Sequence, residues 1–283
     1  MILIADSGST KCSWALCHAN GKILNKYRTI GFNPYFINEK DILKHLEESD
    51  LIKHKDSITS IIFYGAGCSS KEKNKIILSP FKLFFKNANI IIRHDIDAAC
   101  YAMYRGKPNI TCILGTGSNS CFFDGKKIYE HAPSLGFLVG DEGSGNYFGK
   151  KAISLYFNKM LPDDLKANFE TNFETNLATI NNRIYNNSRA NVYLAEFFPF
   201  ILKNKNHPLI KDVIDKALDE FFKIHVSCFT NYQKIDINFI GSVAYYLADQ
   251  IHTTAKKYNC KVNDIIQSPI ENLVNYHFTY SSS

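Results

Sequence analysis

The sequence predicts an α/β protein of two similar domains that face each other across a central cleft. Three observations carry this expectation. A strand, a turn of small residues and a returning pair of strands occur at the N-terminus and again from Ile110. Each copy continues into segments of helical period alternating with apolar runs. Each turn is rich in glycine and hydroxyl side chains and directly follows an apolar strand.

In the first copy, Ile2-Leu3-Ile4-Ala5 reads as a short interior strand and Cys12 to Leu16 as its partner. Asn20-Gly21 predicts a two-residue type I′ hairpin turn, because both central residues of that turn need positive φ. Lys22 to Arg28 then returns as a third strand. Ser60 to Tyr64 and Asn89 to Arg93 are further strands, the second leading into a helix over Ala98 to Tyr104. In the second copy, Ile110 to Leu114, Ser120 to Phe123 and Lys126 to Tyr129 repeat the three strands, with a tight turn at Asp124-Gly125. A helix is expected from about Asn146 to Phe157, and Ile237 to Ile240 is a later strand. Apolar runs bounded by glycine suit interior strands covered by helices on both faces. The domains are expected at 1–114 and 115–283, with a last helix near 268–278 able to pack back on the first.

The chain has 283 residues, 45% of them hydrophobic and 21% charged, which suits a globular protein rather than a disordered one. Its net charge of +6 comes from scattered lysines such as Lys71, Lys73 and Lys75, not from an arginine-rich block interleaved with aromatics. Nucleic acid is therefore not an expected partner. No window approaches the ~20 apolar residues that span a bilayer, so no membrane role is expected. Eight cysteines without a C-x-x-C pair, several inside apolar runs, fit reduced thiols and a cytoplasmic setting.

Ligands of open α/β sheets bind beyond the carboxyl ends of the strands, so residues there matter most. Asp6-Ser7-Gly8-Ser9-Thr10-Lys11 offers backbone N–H groups and hydroxyls to an anion, and Asp6 suits a hydrated Mg²⁺. Gly115-Thr116-Gly117-Ser118-Asn119 is the equivalent loop of the second copy. Neither loop is a Walker A motif. Arg93-His94-Asp95-Ile96-Asp97 places a carboxylate at a strand end, where Asp95 can accept a proton from a substrate hydroxyl attacking a γ-phosphate. Asp97 reads as the first charge of the following helix. Gly140-Asp141-Glu142-Gly143-Ser144-Gly145 has more backbone freedom than capping a helix requires and reads as a ligand-shaping loop. Gly241-Ser242 joins a strand to a helix and suits an adenine or ribose.

Together these motifs resemble the N-acetylglucosamine kinase family, within the BadF/BadG/BcrA/BcrD-type ATPases of the actin/hexokinase-like superfamily. Gly31-Phe32-Asn33-Pro34, Tyr64-Gly65-Ala66-Gly67 and Ser268-Pro269-Ile270-Glu271-Asn272-Leu273 extend the match from the first strand to the last twenty residues. The resemblance implies two ribonuclease-H-like domains, ATP with Mg²⁺ as cofactors, and phosphoryl transfer to the 6-hydroxyl of an amino sugar. It implies Asp95 as base, with Asn33, Ser118, Asn119, Gly136, Asp141 and Asp95 itself holding the sugar. Thr10, Thr116 and Gly241 would contact ATP, supported by Asp6, Gly8, Ser9, Lys11, Gly115, Gly117 and Ser242. Asp6 and Asp141 are the acids expected to reach Mg²⁺, partly through water. The family's D-A-A string aligns by letters on Asp97, whereas strand position favours Asp95, so both stay open at this point. Glucosamine and N-acetylmuramic acid are alternative acceptors, and a non-catalytic ATP-binding sensor or scaffold is the rival class. Assembly as a homodimer is left open.

Overall fold

The computed structural model describes residues 1–280. The chain divides into two compact units, Met1–Lys107 joined by the C-terminal segment from Ser268, and Pro108–Gln267.

The first unit holds a five-stranded sheet in the order β3-β2-β1-β4-β5. Its strands are β1 (Ile2–Ser7), β2 (Lys11–Cys17), β3 (Ile23–Ile30), β4 (Ser60–Gly65) and β5 (Asn89–His94). β1 runs antiparallel to β2 and parallel to β4, which runs parallel to β5. Helices cover both faces, because successive strand residues point to opposite sides. Leu3, Ala5, Trp14, Ile61 and Phe63 pack with Ile42 and Leu46 of α1 (Glu39–Glu47) and with Ile77, Phe81 and Phe84 of α2 (Lys71–Phe84). Tyr64, one residue on from Phe63, instead meets the C-terminal helix Ile270–Thr279 through His277. That helix packs on α3 (Asp95–Met103), where the Tyr101 and Tyr276 rings stack 4.5 Å apart.

The second unit repeats the plan. Its sheet order is β10-β9-β6-β7-β8, formed by β6 (Asn109–Leu114), β7 (Ser118–Phe123), β8 (Ile128–Tyr129), β9 (Asp236–Ile240) and β10 (Val262–Ile266). Read from β8, this is the connectivity of the first sheet, with the same antiparallel and parallel pairings. Between β8 and β9 lie α4 (Gly136–Val139), α5 (Gly145–Phe157), α6 (Asp163–Asn172), α7 (Leu177–Tyr185), α8 (Ala190–Ala195), α9 (Phe198–Lys203) and α10 (Pro208–Phe221). After β9 come α11 (Ser242–Tyr246) and α12 (Ala248–Lys257). Ile110, Cys112, Leu114, Ile237 and Phe239 meet Phe148, Leu218, Phe221 and Leu247 in one core.

Four sequence expectations change. β6 hydrogen-bonds to β7 and β9, so the strand assigned to the end of the first domain belongs to the second sheet, and the division falls at 107/108 rather than 114/115. The Asn20-Gly21 hairpin is a wider turn in which the Gly21 N–H donates to the His18 carbonyl (3.0 Å), and Gly21 alone of that pair has positive φ (88°). β8 starts at Ile128 rather than Lys126, because the Asp124 carboxylate accepts the Lys126 and Lys127 N–H groups (2.7 Å each) and folds them into the turn. Finally, α3 starts at Asp95, two residues before Asp97, so both acids sit in its first turn. All eight cysteines are free thiols, six of them buried. Among the described residues no helix is long and apolar enough to cross a membrane.

Candidate functional site

In the first unit the β1–β2 hairpin closes when the Gly8 N–H donates to the Lys11 carbonyl (3.0 Å). The return of β3 brings Gly31 directly against this hairpin. A Cβ on Gly31 would lie 2.1 Å from the Gly8 carbonyl oxygen, so only glycine fits there. The Gly31 N–H donates to the Thr10 carbonyl (3.1 Å) and the Phe32 N–H to Ser7 Oγ (2.8 Å). Buried Asn33 follows, its amide donating to Ser9 Oγ (2.9 Å). The predicted phosphate hairpin and the predicted sugar ligand Asn33 are thus one hydrogen-bonded assembly.

Asp6 stands near the end of β1, paired in register with Ser13 and Tyr64. Burial, and secondarily the Asp95 charge, push its carboxyl up to about 7, with Lys11 opposing. Asp95 opens α3, its Oδ1 3.4 Å from His94 Nδ1. The charge of Asp95 bears on Asp6 and Cys68. Asp97 has other neighbours. It is pushed up by burial and held back by Arg93 and His94, and its own charge bears on Tyr64 and Tyr101. Residues two positions apart on an α-helix point about 200° apart, which separates the two acids onto different faces.

In the second unit Gly115, Thr116 and Gly117 link β6 to β7, with the Gly115 N–H donating to the Gly117 carbonyl (3.0 Å). The Gly140–Gly145 segment closes on this loop. Asp141, buried and at φ 63°, accepts the Ser118 N–H on Oδ1 (3.1 Å) and the Asn146 amide on Oδ2 (2.6 Å). The same Asn146 amide donates to the Thr116 carbonyl (2.7 Å), and the Gly145 N–H donates to the Gly115 carbonyl (2.8 Å). Burial pushes the Asp141 carboxyl up, and these two donors pull it back. Ser118 Oγ is buried with no hydrogen-bond partner among the described residues, an orphan that a polar ligand or a water would satisfy. The Asn119 side chain reaches Glu130 at 3.4 Å.

Gly136 starts α4 with φ 73°, its carbonyl accepting the Gly140 N–H (2.9 Å). Gly241, at φ 125°, ends β9 against β6, where a Cβ would lie 2.2 Å from the Leu114 carbonyl oxygen. Ser242 begins α11 immediately after it. The expected adenosine turn therefore touches the strand that carries the second phosphate loop.

Two residues whose part is not legible in local sequence complete these assemblies. Gly31 fixes the first hairpin by close approach. Asn146, expected only as the start of a helix, ties Thr116 to Asp141. An asparagine directly after a glycine-rich acidic loop was the available signal, because its amide can both donate and accept.

No protein-family model matches the chain, and no curated protein does. Solved structures do. A candidate N-acetylglucosamine kinase from Porphyromonas gingivalis superposes with a TM-score of 0.91 at 32% identity, over 99% of this chain and 100% of that one. This chain belongs to the N-acetylglucosamine kinase family, whose members are ATP-dependent sugar kinases. A second candidate N-acetylglucosamine kinase, from Chromobacterium violaceum, shares the fold at a TM-score of 0.72 and 16% identity, covering 97% of this chain and 98% of its own. A ROK-family glucokinase from Streptomyces griseus, solved with glucose and AMPPNP, shares it at 0.54 and 11% identity, over 100% and 99% of the two chains.

Proposed function

We propose that this member of the family transfers the γ-phosphoryl group of ATP, with Mg²⁺, to the 6-hydroxyl of N-acetylglucosamine. The observation that carries this reading is the repetition itself. Two sheets of one connectivity each end their first strand in a glycine-hydroxyl hairpin, held in the first unit by the Gly31–Asn33 segment and in the second by Asp141 and Asn146. The connectivity also supports reading each unit as a ribonuclease-H-like domain.

Each residue then has a task that its surroundings suit. Gly8, Ser9, Thr10 and Lys11 hold phosphate on one hairpin, and Gly115, Thr116 and Gly117 on the other, through backbone N–H groups and hydroxyls. Open space beside Gly115 favours close backbone approach, since a Cβ there would meet nothing within 4 Å. Gly241 and Ser242 take the nucleoside. Asn33, Ser118, Asn119, Gly136 and Asp141 hold the sugar, and the orphan hydroxyl of Ser118 fits a polar ligand.

For the ion, Asp6 is the better suited of the two candidate acids. Its carboxyl is raised by burial and by Asp95, so a dication supplies the missing countercharge. Both oxygens of Asp141 already accept protein donors, which suits a contact through water. When bound, the ion neutralises charge on the transferring phosphoryl group. Asp95 accepts the proton of the attacking hydroxyl. Its neighbourhood with Asp6 favours it over Asp97, which keeps company with Tyr64, Arg93 and Tyr101.

The test is a coupled ADP-release assay over N-acetylglucosamine, glucosamine and N-acetylmuramic acid. N-acetylglucosamine should give the highest Mg²⁺-dependent turnover, and Asp95→Asn should lower it by about 10²- to 10⁴-fold. Activity lost in Asp97→Asn and kept in Asp95→Asn would move the base to Asp97. Turnover on none of the three would favour the sensor reading.

A further inference from the structure

Helix α10 does not end as an α-helix. Its last turn passes into a π-helical turn over Phe222–Val226. A π turn inserts one residue into the ladder, turning the side chains beyond it by about 100° relative to a continued α-helix. Such turns are rare and frequently lie at functional sites. Here the turn carries His225, which is 3% exposed. Its Nε2 lies 3.2 Å from Oε2 of Glu142, and its ring stacks on Phe221 with centroids 5.0 Å apart. Nδ1 has no partner among the described residues, so the hydrogen bond to Glu142 is the one polar contact that ring makes there.

Glu142 directly follows Asp141, in the segment that closes on the second phosphate loop. Asp141 holds a left-handed backbone, its carbonyl accepts the Ser144 N–H (3.1 Å), and its side chain clasps Ser118 and Asn146. The segment runs beside α10 as well, since a Cβ added at Gly143 would lie 3.5 Å from the Ala217 carbonyl oxygen and from Phe221 Cβ. Resting on the sugar-kinase reading above, we propose that His225 is a positioning residue. From the π turn it pins Glu142 and so fixes the left-handed bend that aims Asp141 at Ser118. It touches no reacting atom. Its effect passes through Glu142 to the hydroxyl and backbone that receive the sugar.

The test compares His225→Ala, His225→Gln and Glu142→Ala in the full chain, by steady-state kinetics and by amide hydrogen exchange. His225→Ala should raise the KM for the sugar by about 10- to 100-fold, the size of a small misplacement. The KM for ATP should change less than the KM for the sugar, and the Ser118 amide should exchange faster. His225→Gln, whose amide can still donate to Glu142, should recover both. Glu142→Ala, which leaves no acceptor for His225, should resemble His225→Ala and serves as the test if His225→Ala does not fold. A variant that melts at lower temperature yet keeps the wild-type sugar KM and Ser118 exchange would overturn the proposal. Absence of turnover in the wild-type protein would instead remove the kinase reading. Exchange alone then decides, and unchanged Ser118 exchange in both His225→Ala and Glu142→Ala overturns the clamp.

Discussion

At Gly31 and Gly241 a hydrogen is the only side chain that the backbone admits. A methyl group on either would sit 2.1 or 2.2 Å from a carbonyl oxygen of a neighbouring strand or hairpin, and backbone cannot swing aside as a flexible side chain can. Gly241 adds a φ of 125°, which L-residues rarely adopt. Gly241→Ala and Gly31→Ala should therefore each lower unfolding stability by more than about 2 kcal/mol, read from urea titrations. A loss within about 0.5 kcal/mol would mean that the strand ends are slacker than described. Residues of this kind were only half legible in the sequence. The glycine-hydroxyl strings showed where the hairpins lie, because small residues after an apolar run have few other readings. That Gly31 props the first hairpin, or that Asn146 holds Thr116 and Asp141 together, depends on contacts between segments far apart in sequence. Local pattern does not carry such contacts.

Among the elements, the C-terminal helix has the clearest electrostatic signature. His277 joins it to β4 through Tyr64 Oη at 2.8 Å, and burial followed by the Arg93 charge lowers its imidazole to about 4 from the usual 6.5. The unfolded chain therefore takes up this proton first as pH falls. Stability from His277 is complete above about pH 6.5, declines as pH drops towards 4, and changes no further below that. His277→Gln should flatten the decline between pH 6.5 and 4, measured by urea unfolding at several pH values. An unchanged slope would remove His277 as its source. Elements were legible where one face is apolar and obscure where it is not. β10 is obscure in the sequence because Asn263 and Asp264 break its apolar run. The start of α3 is obscure because Asp95 directly follows an apolar strand, whereas the extended backbone of His94 already caps the helix.

For the whole molecule, the chain crosses to its second sheet at Asn109 and comes back after Gln267. The final helix buries Ile270, Leu273 and Val274, so the first unit depends on residues contributed last. Truncation after Gln267 should destabilise Met1–Lys107 more than Pro108–Gln267, seen as faster amide exchange confined to the first sheet. Equal exchange in both sheets would contradict that dependence. The duplication was visible in the sequence from the repeated hairpin. Its extent was blurred by the long helical stretch from α4 to α10, whose asparagine-rich turns give little periodicity.

The proposed contact of each hairpin with nucleotide phosphate is tested most directly by Gly8→Ala and Gly115→Ala. An added methyl meets only the Lys11 carbonyl at 3.8 Å in the first case and nothing within 4 Å in the second, so both variants should fold as the wild type does. Calorimetric titration with Mg²⁺ and AMPPNP should then show each variant binding about 10-fold more weakly, since each methyl occupies space that a phosphate needs. Wild-type affinity in both folded variants would contradict the account.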